Sequence, residues 1–246
     1  MIPRLLVSVF EVEEVAAALA GGADIVDVKN PAEGSLGAPS PALLRAVSRR
    51  VEGRAVLSAA LGDAPHLPGT LALAAAGAAG CGAEYVKVGL LGSSRPDDAV
   101  TLLREVQRAA TGGRTATRVV AVAYADALRV GGLPPGELPR AAARAGVHGV
   151  MLDTAVKDGA STLDHLGEKG VAVFLEEARS LGLETALAGA LRLREIFRIA
   201  ALGAQVVGVR GSACDGGRAG RVSGARVRAL REALVPGALP HPAPIA

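Results

Sequence analysis

Aromatic side chains make up only 2% of this 246-residue chain and tryptophan is absent, so its core must be assembled from Ala, Val, Leu and Ile. That scarcity argues against single-stranded nucleic acid as a partner, because such binding stacks bases on aromatic faces. Cysteine is nearly missing too. Cys81 and Cys214 offer neither a disulfide framework nor metal-ligand spacing, which fits a reducing cytoplasm and gives no reason to expect a metal or another cofactor. No apolar run approaches the roughly 20 residues that span a bilayer. The opening residues, Met-Ile-Pro-Arg-Leu-Leu-Val-Ser-Val-Phe, enter a strand pattern without the features of a secretory signal. We therefore expect a soluble, cytoplasmic protein with no membrane partner, and a homo-oligomer. A basic block is lacking as well: the net charge of +3 comes from arginines scattered along the chain. This favours a phosphorylated or otherwise anionic small molecule over nucleic acid.

Lysine is the most telling shortage. Of 27 basic residues only four are lysines, Lys29, Lys87, Lys157 and Lys169. In a chain that fills generic basic positions with guanidinium, a retained ε-amine points to chemistry that arginine cannot perform, since only the amine can lose its proton and attack a carbonyl. Lys169, in a polar Gly-Glu-Lys-Gly segment, reads as an ordinary solvated residue. The other three end or closely follow apolar runs that read as buried strands.

What is present is a regular alternation. Strand patterns run over Arg4–Phe10, Asp24–Asn30, Ala55–Leu61, Tyr85–Leu90, Arg118–Asp126, Gly149–Thr154, Glu184–Ala190 and Val206–Gly211. Helical patterns follow at Val12–Ala20, Pro41–Arg50, Leu71–Cys81, Asp97–Ala110, Leu138–Ala145, Gly170–Leu181, Leu193–Leu202 and Gly224–Leu234. Eight such units in one α/β domain predict a (β/α)8 TIM barrel over residues 1–235, with a Pro-rich, poorly ordered tail over 236–246. Glycines at 21, 22, 80, 82, 146 and 203 fall where helices end and strands begin, as helix C-caps do. A doubly wound open sheet is the alternative fold.

Within the even-numbered strands the apolar outward positions alternate with inward ones that carry a charge near the C-terminal end: Lys29 with Asp27, Lys87, Asp153 and Arg210. In a barrel these meet at the mouth where catalysis is placed. Two amines close together disfavour each other's protonation, leaving one as nucleophile and one as proton shuttle. Asp27 and Asp153 would position amines or move protons, and Lys157 would reach the same mouth from the loop after the sixth strand. The competing interpretation is a salt-bridge network that only fills a polar barrel. Gly189, Arg210, Gly211 and Ser212, after strands seven and eight, suggest a phosphate-binding site. Asp63 and His66 also lie at the mouth, His66 reading as structural, and Cys214–Arg218 as a flexible loop.

The stretches Gly-Gly-Ala-Asp-Ile-Val-Asp-Val-Lys-Asn-Pro-Ala-Glu-Gly-Ser-Leu-Gly-Ala from 21, Tyr-Val-Lys-Val-Gly-Leu from 85, Tyr-Ala-Asp-Ala from 124, Met-Leu-Asp-Thr-Ala-Val-Lys-Asp-Gly from 151, Ala-Leu-Ala-Gly from 186 and Val-Gly-Val-Arg-Gly-Ser-Ala-Cys from 207 resemble the (5-formylfuran-3-yl)methyl phosphate synthase family of methanofuran biosynthesis. The resemblance implies a lyase that condenses two molecules of glyceraldehyde 3-phosphate into a phosphorylated furan aldehyde, with loss of phosphate and water. It also implies Lys29 as the Schiff-base lysine and Lys87 as the proton-accepting one, with Asp27, Asp153 and Lys157 in support. Two alternatives share the scaffold: a Schiff-base aldolase or isomerase acting on another triose or sugar phosphate, and a non-catalytic metabolite-binding barrel in which Lys29 pairs permanently with Asp27.

Overall fold

The computed structural model describes residues 2–63, 66–112 and 117–235; the Pro-rich segment 236–246 lies outside the described residues. Eight parallel strands close into a barrel: β1 (Arg4–Val9), β2 (Ile25–Val28), β3 (Val56–Ala60), β4 (Tyr85–Gly89), β5 (Arg118–Tyr124), β6 (Gly149–Asp153), β7 (Glu184–Leu187) and β8 (Val206–Val209). β8 pairs with β1, with Arg4 beside Val206 and Val7 beside Val209. That closure rules out the open sheet.

The helices are α1 (Glu14–Ala20), α2 (Pro41–Val51), α3 (Pro68–Gly80), α4 (Pro96–Thr111), a single turn α5 (Ala127–Val130), α6 (Leu138–Ala145), α7 (Thr162–Ser180), α8 (Leu193–Ala201) and α9 (Gly224–Ala233). Three of them begin on proline, whose fixed φ suits the first helical turn and whose missing N–H would have no partner there. Ser40 completes the α2 start by accepting the Leu43 N–H. α7 begins eight residues before the expected Gly170. Ser161 and Asp164 form a capping box that nucleates a first segment, and Gly167, at φ 62° and ψ 170°, breaks the run before the main helix. Gly82 and Gly203 carry the positive φ expected where a helix turns into a strand.

Two cores result from the two-residue strand period. Val26, Val28, Val86, Val88, Val150, Leu152, Val207 and Val209 point outward and are buried beneath the helices. Inside, Leu6, Ile25, Tyr85, Val120, Val122 and Met151 fill the barrel. The outward facing expected of these apolar residues is therefore correct on all four even strands, whereas Arg210, expected to face inward from the eighth, pairs with Glu14 instead. Most strands are shorter than expected at the C-terminal end, which places Lys29 and Arg210 just beyond β2 and β8. The loop after β8 is an antiparallel arch, β9 (Cys214–Asp215) paired with β10 (Arg221–Val222), rather than an unstructured excursion.

Candidate active site

Asp27 is fully buried and is held from both neighbouring strands. Ser8 on β1 and Ser58 on β3 stand beside it in register. Ser8 Oγ donates to Asp27 Oδ2 at 3.0 Å and Ser58 Oγ to Oδ1 at 2.9 Å. The remaining capacity of Oδ2 is taken by Lys87 Nζ at 2.7 Å. A buried ion pair holds its charges only when its other lone pairs are satisfied, and the two serines supply that condition.

A second pair stands at the end of β6. Lys157 Nζ donates to Asp153 Oδ1 at 2.7 Å and to Thr154 Oγ1 at 3.3 Å, and the Thr154 N–H donates to the same carboxylate oxygen at 2.7 Å. Burial alone would raise the Asp153 pKa. Lys157, Lys29 and these hydrogen bonds outweigh it and hold the carboxyl at about 2.

Lys29 is the third amine. It is 6% exposed, lines the same cavity as Lys87, Asp153 and Lys157, and forms no ion pair among the described residues. Burial lowers its pKa from 10.5 to about 8; Asp153 and Asp27 pull upward, Lys87 and Lys157 downward. At pH 7 about one Lys29 amine in ten is then neutral, against about one in three thousand at the ordinary value. Among the described residues Asp27 pairs with Lys87 and not with Lys29, so the binding-protein alternative with a Lys29–Asp27 pair has no support.

Arg210 does not join the lysines. The backbone leaves strand geometry there, at φ −132° and ψ −67°, and turns the side chain toward α1. Its guanidinium donates to Glu14 Oε2 at 2.7 Å and to the carbonyls of Ser8, Gly220 and Arg218. It also lies 3.8 Å from the Phe10 ring centroid. Glu14 in turn accepts the Phe10 and Val222 N–H groups. This buried pair ties α1, the end of β8 and the arch together, and it leaves little of Arg210 for a ligand.

A cavity of about 1020 Å³ opens over the lysines toward β7, β8 and α9, with Gly189, Gly211 and Ser212 on its wall. Gly189 is required for packing: at φ +89°, a Cβ there would fall 2.4 Å from Thr162 Oγ1. Ser212 Oγ donates to the Leu191 carbonyl at 2.8 Å. Arg218, which sequence reasoning left in a flexible loop, is half-buried on the same wall and forms no ion pair among the described residues. Ser8 and Ser58 were also missed; small hydroxyl residues at inward strand positions were the available signal. His66 Nδ1 lies 3.3 Å from Ser93 Oγ, away from the lysines. Among the described residues, no cluster of His, Cys, Asp or Glu could hold a metal, and no helix is long and apolar enough to cross a membrane.

Comparison with known proteins places this geometry in context. A family model described as 4-HFC-P synthase matches residues 5–231. The (5-formylfuran-3-yl)methyl phosphate synthase of Methanothermobacter thermautotrophicus is 47% identical over 232 residues, 94% of this chain and 98% of the relative. That of Methanocaldococcus jannaschii is 46% identical over 230 residues, 93% and 98% of the two chains. Among solved structures, 3-hexulose-6-phosphate synthase from Salmonella typhimurium aligns with a TM-score of 0.64 at 16% identity, covering 94% of this chain and 98% of that one. Thiamine phosphate pyrophosphorylase from Pyrococcus furiosus aligns at 0.63 and 14%, covering 95% of each. At such low identity these two likenesses speak for the barrel alone.

Proposed function

The chain is an enzyme of the 4-HFC-P synthase family, and from that membership we propose that it condenses two molecules of glyceraldehyde 3-phosphate into (5-formylfuran-3-yl)methyl phosphate, with loss of phosphate and water, for methanofuran-type biosynthesis. The observation that carries the mechanism is the buried Lys29 amine with its pKa lowered to about 8, facing a cavity large enough for two trioses.

The neutral amine of Lys29 adds to the aldehyde carbon of one triose phosphate, and loss of water gives the iminium. That cation draws electrons from the adjacent carbon, whose proton passes to the Lys87–Asp27 couple. The resulting enamine expels the phosphate from the next carbon, and the enol left on Lys29 attacks through that same carbon the carbonyl of the second triose phosphate in its keto form, which makes the carbon–carbon bond. Asp153 and Lys157, in contact beside the iminium, balance its charge and carry protons during cyclisation and dehydration. The phosphates face the β7–β8 side. There Gly189, Gly211 and Ser212 line the wall, and Arg218 supplies the cation in place of Arg210, whose guanidinium is engaged by Glu14.

Incubation with glyceraldehyde 3-phosphate and borohydride should yield one reduced adduct on Lys29, absent in Lys29→Arg, and without borohydride a strongly ultraviolet-absorbing furan aldehyde. An adduct on Lys157, or a sugar phosphate as the only product, would overturn the proposal.

A further inference from the structure

The cavity over the lysines has room for two trioses but free charge for only one phosphate. Besides Lys29, six basic side chains line it among the described residues, and five of the six are already paired. Lys87 is held by Asp27 and Lys157 by Asp153. Arg210 is held by Glu14, Arg226 by Asp215, and Arg192 by Asp164 and Glu195. Arg218 is the sixth, and it forms no ion pair with a described residue. It sits on a short turn between β9 and β10. Arg210 pins that arch at and beyond this position, donating to the carbonyls of Arg218 at 3.3 Å and Gly220 at 2.6 Å. Burial lowers the pKa of the Arg218 guanidinium; Asp153 opposes this and Arg210 adds to it. The influence of Asp153 puts Arg218 within electrostatic reach of the lysines' end of the cavity. A cation drawn half out of water without a counter-ion is stabilised by an anion that arrives from outside.

Charge limits how many phosphates can be present together. A phosphate monoester carries about −1.5 to −2 at pH 7. The iminium on Lys29 and the Arg218 guanidinium balance one such group. Two would bring about −3 to −4 against the same two cations, in a partly buried space where repulsion is poorly screened. The chemistry sets the same limit. The carbon that loses its phosphate is the carbon that makes the new bond, so the leaving group stands in the approach of the second triose.

We propose that Arg218 anchors a single phosphate subsite that serves the two trioses in turn, so that inorganic phosphate leaves before the second triose phosphate enters. The inference rests on the Schiff-base reading and adds an order of events to it. In the enamine on Lys29, the nitrogen lone pair becomes C=N⁺, the enamine pair moves to form a C=C with the phosphate-bearing carbon, and the C–O bond to phosphate breaks with its electrons on oxygen. That oxygen takes up the proton that the Lys87–Asp27 couple drew from the substrate, and hydrogen phosphate departs from Arg218. The phosphate-free enol stays on Lys29, and the emptied subsite receives the keto triose phosphate. Inorganic phosphate is then both the first product and a competitor of the second substrate.

The order is read in the first turnover, with enzyme in excess over glyceraldehyde 3-phosphate, by quenching with borohydride at intervals and following phosphate release, adduct mass and furan absorbance. Phosphate should appear together with a phosphate-free three-carbon adduct on Lys29 and ahead of furan, and both should be absent in Lys29→Arg. In steady state, inorganic phosphate should compete with dihydroxyacetone phosphate, the keto triose. Its inhibition constant should rise about tenfold in Arg218→Met and return most of the way in Arg218→Lys, which keeps the charge. An adduct that retains its phosphate until furan appears, or phosphate inhibition that is the same in wild type, Arg218→Met and Arg218→Lys, would overturn the shared subsite. Absence of any Lys29 adduct in the unaltered enzyme would instead refute the Schiff-base reading itself.

Discussion

Replacing Lys29 with methionine should stabilise the protein at neutral pH while abolishing adduct formation. The folded chain holds this amine at about 8, against 10.5 for the free side chain. Charging it inside the barrel therefore costs more than charging it in the unfolded chain, by about 3 kcal/mol. The unfolded state binds more protons than the folded state between these two values, so this destabilisation is complete below pH 8 and disappears as pH rises toward 10.5. Methionine has similar length and no charge to desolvate. Urea titrations of the wild type and Lys29→Met at several pH values isolate the effect, because other titrating groups largely cancel in the difference. The variant's advantage at pH 7 should exceed that at pH 10.5 by about 3 kcal/mol. In parallel, the pH dependence of borohydride-trapped adduct in the wild type should rise with a midpoint near 8. A stability difference that does not vary with pH, or an adduct midpoint near that of free lysine, would show that the amine is not held in the way described.

Two further outcomes separate the buried pairs from the cavity wall. Asp27→Asn leaves the Lys87 ammonium buried without its counter-charge and should cost about 3–5 kcal/mol in urea unfolding; Asp27→Asn combined with Lys87→Met should recover much of that loss. Arg218→Met should raise KM for glyceraldehyde 3-phosphate by roughly tenfold or more, the scale of a lost charge-assisted hydrogen bond, while leaving trapping of unphosphorylated glyceraldehyde on Lys29 unchanged. A fall in both would place Arg218 with the structural residues instead.

The strand alternation made the barrel and the facing of the four even strands legible, because a period of two shows directly which side is apolar. The lysines stood out for a different reason: arginine had replaced lysine almost everywhere else. Which carboxylate serves which amine was not legible. Asp27 lies two residues from Lys29, and its commitment to Lys87 depends on the barrel bringing β2 and β4 within reach of each other across the interior and on Ser8 and Ser58 flanking it in register. Arg210 was misplaced because alternation predicts direction only while the strand lasts. One residue past Val209 the backbone turns, and Glu14, 196 residues earlier in the chain, captures the guanidinium. Arg218 was obscured by its glycine neighbours, which read as flexibility although they build the arch that carries it.

The site's stoichiometry explains why the pKa of Lys29 is lowered. Three lysines meet around two aspartates that are already paired: Asp27 with Lys87 and two serines, Asp153 through Oδ1 with Lys157 and the Thr154 N–H. A third ammonium in that space gains only longer-range attraction to carboxylates that are engaged elsewhere, and it meets repulsion from two cations. Losing a proton is the least costly way to relieve it. Asp63 forms no ion pair among the described residues, and burial raises its pKa from the ordinary carboxylate value. One barrel mouth thus holds two ion pairs and one amine without a partner, neutral in about one molecule in ten at pH 7. Nucleophilic addition at that amine is the proposed activity for which this distribution of charge prepares the site, and a carboxylate close enough to Lys29 to form a third ion pair would remove it.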